Sequence, residues 1–498
     1  MSDASNIRRV ALLSFGFLLI RWLTAFVVGQ PGYTDAYYYV DVASRFARGL
    51  GLTADFVWSP IELGTLPVVS HRFWMPVATW LQAGGIAALG SLLGEFRAAQ
   101  AAVIVIAGAV PPVTYACARS LAAGHRAALA AAAIAGLGGL FAPAWVTLDG
   151  FAAAALVGSL FFLAFARAAA GDVRAGIACG ALVGLLYLTR TEGALFGLAL
   201  VALAMRRPSR SAGLAGALVA LAVGVAWLAR NASIGTPPDL IARATLLVRY
   251  EEFFAVSPPT LAAFTAALPA VIGAKLGALA SNAGTFIFAF CLVLIPALAF
   301  GGRRLWSRLD VRAWSALALV VFLAQSLLFT LHSTRGSYFH SLGAFFPFGV
   351  ALAAAGGERL LAERRPAMAG AWTWGTLVLV AVFSAGAVSG WDSSFNTPAR
   401  ARADAVSAIP DGPFLAIDAA AWRWISGRSV IVTPSDGLAA ARCLVAASGA
   451  RSIVLEEAHF SQYDALYRGE SRPDWLGAPV DRGTVRIFAV TAPVERCA

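Results

Sequence analysis

The sequence predicts an all-α polytopic membrane protein that carries a small α/β domain at its C-terminal end. Three observations carry this. Of 498 residues, 59% are hydrophobic and only 13% charged, against roughly a quarter charged in ordinary soluble chains. Apolar runs of membrane-crossing length recur between residues 10 and 389, so about eleven transmembrane helices are expected. After residue 390 the pattern changes to short strand-like runs alternating with helical ones.

The expected spans are 10–29, 98–118, 127–147, 149–168, 175–190, 193–205, 212–230, 277–300, 313–331, 338–356 and 368–389. The first run is too long for a signal-peptide core and lacks a cleavage site, so it stays a span. Arg21 inside it is expected to snorkel outward and is given no role. The apolar stretch 76–94 is ambiguous, and the arginines decide it. If it lies along the outer surface or re-enters, one side of the membrane collects Arg8 and Arg9, Arg119 and Arg126, Arg167 and Arg174, and Arg206, Arg207 and Arg210. The same side then collects Arg303, Arg304, Arg308 and Arg312, and finally Arg359, Arg364 and Arg365. If the stretch crosses, all but the first pair flip, against the positive-inside tendency. The expected setting is therefore a bacterial inner membrane, with the N-terminus cytoplasmic and the C-terminal domain extracytoplasmic. The net charge of +11 reads as topology, not as a nucleic-acid surface, because the arginines sit in separate clusters between spans.

The expected domains are a transmembrane one over 1–390 and an extracytoplasmic α/β one over 391–498. Within the first, 30–97 forms an outer loop with surface helices and 231–276 a second long outer loop. In the tail, strands are expected at 413–418, 429–433, 451–456 and 484–490, with helices at 435–448 and 460–468. No glycine-rich phosphate loop is present there. Cys117, Cys179 and Cys291 read as packing residues, whereas Cys443 and Cys497 have the setting for a disulfide.

Candidate chemistry lies on the outer side. Asp35 stands just beyond the first span, at the start of an amphipathic helix that runs to Gly49 and Gly51 and suits a membrane surface. Asp149 opens another helix at the same side. Each carboxylate could simply cap its helix, but two at one depth also suit an acid/base or metal pair. Arg190 and Glu192 interrupt apolar sequence in LYLTRTEGALF, as a local ion pair or as a phosphate-holding arginine. His71 and Arg72 precede 76–94, and HSTRGSYFH supplies Arg335, Tyr338 and His340. Lys275, the sole lysine, completes the outer cations.

These residues come in an order that resembles the GT-C superfamily of membrane glycosyltransferases. The closer likeness is to the family-39 group, which includes protein O-mannosyltransferases and aminoarabinose transferases. The matching features are DAYYYVDVASRFARGLG, PVATWLQAGGIAALG, LDGFAAAALVGSLFFLAFA, GALVGLLYLTRTEGALFGLALVAL, and WLARNASIGTPP with the later RGSYFHSLGAFFPFG. The likeness covers about residues 1–356. It departs where the family has an acidic pair, since Asp35 is followed by Ala36, and where the family has a lysine, here Arg190-Thr191-Glu192. FWMP stands for a usual KPP-like entry.

The resemblance implies an inverting transfer of a sugar from a polyprenyl-phosphate donor to a glycan, lipid or protein acceptor. Asp35 would be the general base, and Asp149 would orient the acceptor, a cation or the first loop. Arg72, Arg190, Arg335 and Lys275 would hold the lipid phosphate, with Glu192, His71, Tyr338 and His340 in support. Some relatives bind a divalent metal and others do without, so no cofactor is assigned. A transporter or lipid flippase fits less well, since ionisable groups gather at one face and no inverted repeat is evident. A non-catalytic scaffold of the same fold is the remaining alternative.

Overall fold

The computed structural model describes residues 3–60, 65–236, 240–364 and 366–492. Arg365, Pro237, Pro238 and Cys497 lie outside them. The chain divides into two compact units: the first is 1–29, 74–234 and 275–391, the second 30–73, 235–274 and 392–498.

The first unit is helical. Among the described residues, seven helices are long and apolar enough to cross a membrane, or eight if one pair bent by 62° counts as a single span. That pair is Thr330–Leu342 with Phe346–Glu363. Shorter apolar helices at His125–Leu137, Val173–Thr189 and Thr191–Ala204 occupy the remaining expected spans. The protein is a multi-pass membrane protein. The stretch 76–94 forms the helix Val77–Leu93, about 25 Å long and so under the ~30 Å hydrocarbon thickness. It packs along Glu95–Gly108, and a Cβ on Gly85 would stand 2.8 Å from that of Ala102. Small residues set similar contacts elsewhere in this unit: Gly176 meets Ala212, and Gly158 meets Ala344.

Arg21 does not snorkel. It is buried, donates from Nη2 to the Gly136 carbonyl at 3.3 Å and stacks on Trp145. A carbonyl and an indole inside the bundle hold it there.

The second unit is built on a six-stranded sheet. In chain order its strands are β2 (Phe56–Val57), β4 (Phe414–Ala416), β5 (Val430–Val432), β6 (Ser452–Leu455), β7 (Leu476–Arg482) and β8 (Val485–Val490), while β1 (Thr53–Ala54) pairs only with β3 (Val68–Val69). The sheet order is β2-β5-β4-β6-β8-β7, parallel as far as β6 and antiparallel beyond it. The four expected strands are β4, β5, β6 and β8. The sheet takes an edge strand from the first loop, because Phe56 and Val57 extend it beside Val430 and Ile431. Residues 30–73 and 235–274 therefore belong with the C-terminal sheet, and the sequence-based division at 390 differs from the structural one for that reason.

The helix expected on the membrane surface, Thr34–Ala47, is instead buried continuously from Ala36 to Ser44. It packs on the helix Ala419–Ser426, and its Asp41 faces Arg423 at 3.5 Å. Polar side chains that look solvent-facing in a helical projection are here satisfied by a distant segment of the same unit.

Candidate functional site

In the first unit, three interruptions of helix converge. The helix Val173–Thr189 ends at Arg190, whose extended backbone (φ −155°, ψ 138°) starts a short 3-10 segment. The segment Ser333–Ser337 leaves the helical path at Arg335 and Gly336, and Gly336 takes φ 112°, a conformation open to glycine at little cost. The third is the irregular stretch before the helix Phe151–Ala169. Close packing draws it in: a Cβ on Gly150 would stand 3.0 Å from Thr189.

Arg190 is the hub. Its Nε donates to Glu192 Oε1 at 2.5 Å, Nη1 to His340 Nδ1 at 2.9 Å and Nη2 to Ser337 Oγ at 3.3 Å. Ser341 Oγ donates to the same Glu192 oxygen at 2.6 Å, and Gln325 Nε2 donates to Ser341 Oγ at 3.1 Å. Asp149, 2% exposed, brings Oδ2 to 3.4 Å from His340 Nδ1. A guanidinium can only donate, so that imidazole nitrogen accepts from Arg190, and the neutral ring and the Asp149 carboxylate are close neighbours without forming an ion pair. Asp149 does not cap its helix: its carboxylate takes the adjoining Gly150 amide, and Gly150 itself is the capping position. The structure thus brings together Asp149, Arg190, Glu192 and His340 at breaks in apolar helices. Such breaks expose fixed donors that suit an anionic oxygen.

Three other residues of this unit are among those expected to contribute. Tyr338 is buried edge-on against Phe322. Arg335 is exposed on the unwound segment. Lys275 donates to the Leu327 carbonyl and stands 3.5 Å from Thr330 Oγ1, where it satisfies the end of the helix Leu309–Leu327.

In the second unit, Asp35 lies in the first turn of Thr34–Ala47 and is not its cap; Tyr33 holds that position without a side-chain bond. Its neighbours are anchored. Thr34 Oγ1 donates to Asp418 Oδ1 at 3.1 Å, and Tyr37 Oη donates to Gln30 Oε1 at 2.5 Å. Burial pushes the Tyr37 phenol up, so it stays protonated and a donor. Behind Asp418 stands Arg402, which also grips Glu456 through Nε at 2.6 Å and Nη2 at 3.1 Å. Burial disfavours that charge, but Asp418 and Glu456 more than offset it and raise the guanidinium's pKa. His71 is fully buried with φ 59°, its amide bonded to Tyr38 Oη at 2.5 Å and its ring stacked on Tyr39. Arg72 beside it is half-buried.

Sequence reasoning missed Ser337, Ser341 and Gln325 in the first unit, and Gln30, Arg402, Asp418 and Glu456 in the second. Ser337 and Ser341 carried a faint signal, being four apart in the motif that holds His340. The others carried none, since their partners are far off in sequence.

No family model and no characterised protein matches the sequence itself. Solved structures do match in shape. ArnT from Cupriavidus metallidurans bound to undecaprenyl phosphate aligns over 97% of this chain and 98% of its own, with a TM-score of 0.57 at 16% identity. The oligosaccharyltransferase AglB from Archaeoglobus fulgidus, solved with an inhibitory peptide and a dolichol-phosphate, aligns over 89% of this chain and 69% of its own, with a TM-score of 0.52 at 13% identity. The chain shares the fold of these two structures. At these identities the likeness concerns architecture, and the side-chain chemistry is read from this chain alone.

Proposed function

We propose that this protein is an inverting glycosyltransferase that moves a sugar from a polyprenyl-phosphate donor to a nucleophilic acceptor. The observation that carries the reading is the Arg190 hub, half-buried at helix breaks within a fold shared with ArnT and AglB. The acceptor's hydroxyl or amine attacks the anomeric carbon as the bond to the phosphate oxygen breaks. Its proton passes to Asp35, and polyprenyl phosphate leaves with the bonding electrons. Arg190 stabilises the charge that gathers on that phosphate, an effect that grows in a site poor in water. Arg72, Arg335 and Lys275 serve the donor less directly. Asp149 keeps His340 oriented. Glu192, fixed by Ser341, sets the plane of the guanidinium. His71 and Tyr338 support the chain path on which the working residues sit.

The proposed setting is a bacterial inner membrane with the reaction on its outer side and the arginine clusters inside, as the positive-inside tendency requires. Purified protein in lipid nanodiscs, supplied with a panel of radiolabelled polyprenyl-phosphate sugars, should release polyprenyl phosphate from one of them. Asp35→Asn should lower that turnover by about 10²–10⁴-fold, the usual worth of a general base, with an unchanged unfolding temperature. Full activity in Asp35→Asn would remove Asp35 from the mechanism.

A further inference from the structure

A second feature of the first unit lies away from the Arg190 hub. The helices Leu294–Arg304 and Leu309–Leu327 pack with Phe346–Arg364. Gly301 and Gly356 let two of them touch: a Cβ on Gly301 would stand 3.1 Å from the Gly356 Cα. Beside that contact runs a groove of about 480 Å³ lined by Leu298, Gly302, Arg303, Trp306, Trp314 and Leu352 among others. Its walls are apolar, and the Trp314 indole N–H is already taken by the Phe345 carbonyl. A Cβ on Gly302 would meet nothing within 4 Å, so the groove is open at that point.

The rim of the groove is cationic. Arg303 lines the groove, and three further arginines, at or near the turn between the first two helices, are each engaged by the protein. Arg304 pairs with Glu363 at 2.6 Å, and Arg308 grips Asp310 at 2.7 and 3.1 Å. Arg312 donates to the Trp306 carbonyl at 2.5 Å and lies over its ring, holding that tryptophan as a fixed wall. The Arg303 guanidinium is exposed and, among the described residues, has no hydrogen bond or ion pair. Arg303 therefore brings an unneutralised positive charge to the groove's mouth. An apolar slot that ends at an unmatched arginine and an interfacial tryptophan matches a lipid tail joined to a phosphate.

We propose that this groove holds one anionic glycerophospholipid, its acyl chain along Leu298 and Leu352 and its phosphate at Arg303. The site needs only that the helices lie in a bilayer, so it stands apart from the proposed sugar transfer. The net positive rim disfavours a zwitterionic headgroup, whose outer cation would face it.

The test uses the full chain, delipidated in detergent and titrated with phosphatidylglycerol or phosphatidylcholine of the same acyl chains, bound lipid being read by native mass spectrometry. Wild type should retain one phosphatidylglycerol in preference to phosphatidylcholine. Arg303→Gln should cut that occupancy about fivefold, the worth of one arginine near a lipid headgroup. Gly302→Leu should do the same by filling the groove, while Arg206→Gln, in another connection, should leave it unchanged. Equal retention of the two lipids, or wild-type retention in Arg303→Gln, would overturn the proposal. So would undecaprenyl phosphate displacing phosphatidylglycerol in an Arg303-dependent way. Arg303 is on the surface, so its variant decides the matter even if Gly302→Leu fails to fold. Asp35→Asn should leave this lipid in place, which separates the two proposals.

Discussion

Two half-buried arginines, one in each unit, show how the same residue serves different ends. Arg402 is clamped by Glu456 through two parallel bonds and by Asp418 through a third. Arg190 makes one bond to Glu192 and others to an imidazole and a hydroxyl. Bidentate pairing with carboxylates satisfies a guanidinium so fully that little is left for a ligand. Single bonds to mixed partners at broken helices can be exchanged for an incoming oxygen. Arg402 is thus read as a strut behind the start of the Asp35 helix, and Arg190 as a working group.

The sharpest way to break this contrast is to remove the strut. Arg402→Leu takes the cation from two half-buried carboxylates and should cost about 3 kcal/mol of stability, seen as a lower unfolding temperature of the purified protein. A variant as stable as wild type would show that the clamp is dispensable.

A second handle is pH. Burial first of all, opposed by Arg423, pushes the Asp41 carboxyl up to about 6 from an ordinary 3.8. A raised carboxyl favours the protonated folded state, so its stabilising contribution is full below about pH 4 and is lost as pH rises through 6. Over that window wild type should lose up to about 3 kcal/mol relative to Asp41→Asn, whose amide does not titrate. Parallel stability–pH curves for the two proteins would refute this.

Arg190→Lys keeps a charge but loses the fork geometry. Turnover should fall about 10²-fold with stability nearly unchanged, the reverse of Arg402→Leu. The smallest effect is expected from Ser341→Ala, which frees Glu192 from one of its bonds. A loss of about 1 kcal/mol in transition-state stabilisation, roughly fivefold in kcat/KM, would mark Ser341 as a positioning residue. Rescue by Ser341→Thr would separate the lost bond from a packing defect.

What could be read in advance follows the range of the interactions. The spans were legible because the bilayer imposes a length on each of them. Strands β4, β5, β6 and β8 were legible because each is a short apolar run bounded by turn residues. Arg190 and Glu192 were legible as a pair because they are two residues apart at a break. The edge strand at Phe56–Val57 was not, since two residues of apolar sequence have no pattern until Val430 extends beside them. Asp41 looked solvated because its partner Arg423 lies on a helix far along the sequence. The hydrogen-bonded line from Gln325 through Ser341 to Glu192 depends on the fold bringing the helices together, and small polar residues inside apolar helices do not announce their partners.

Gly158, two turns into the helix that Asp149 precedes, rests its backbone on the carbonyl of Ala344, four residues past His340. The separation between Asp149 and His340 is therefore set by two main chains in contact, with no side chain between them to yield. A single methyl added at 158 works like a shim in a bearing: it must lift one helix off the other and carry the carboxylate away from the imidazole. Shifts of about 1 Å can cost a reaction 10²-fold. The alignment of the site is thus tied to the absence of a side chain more than one turn of helix away from it.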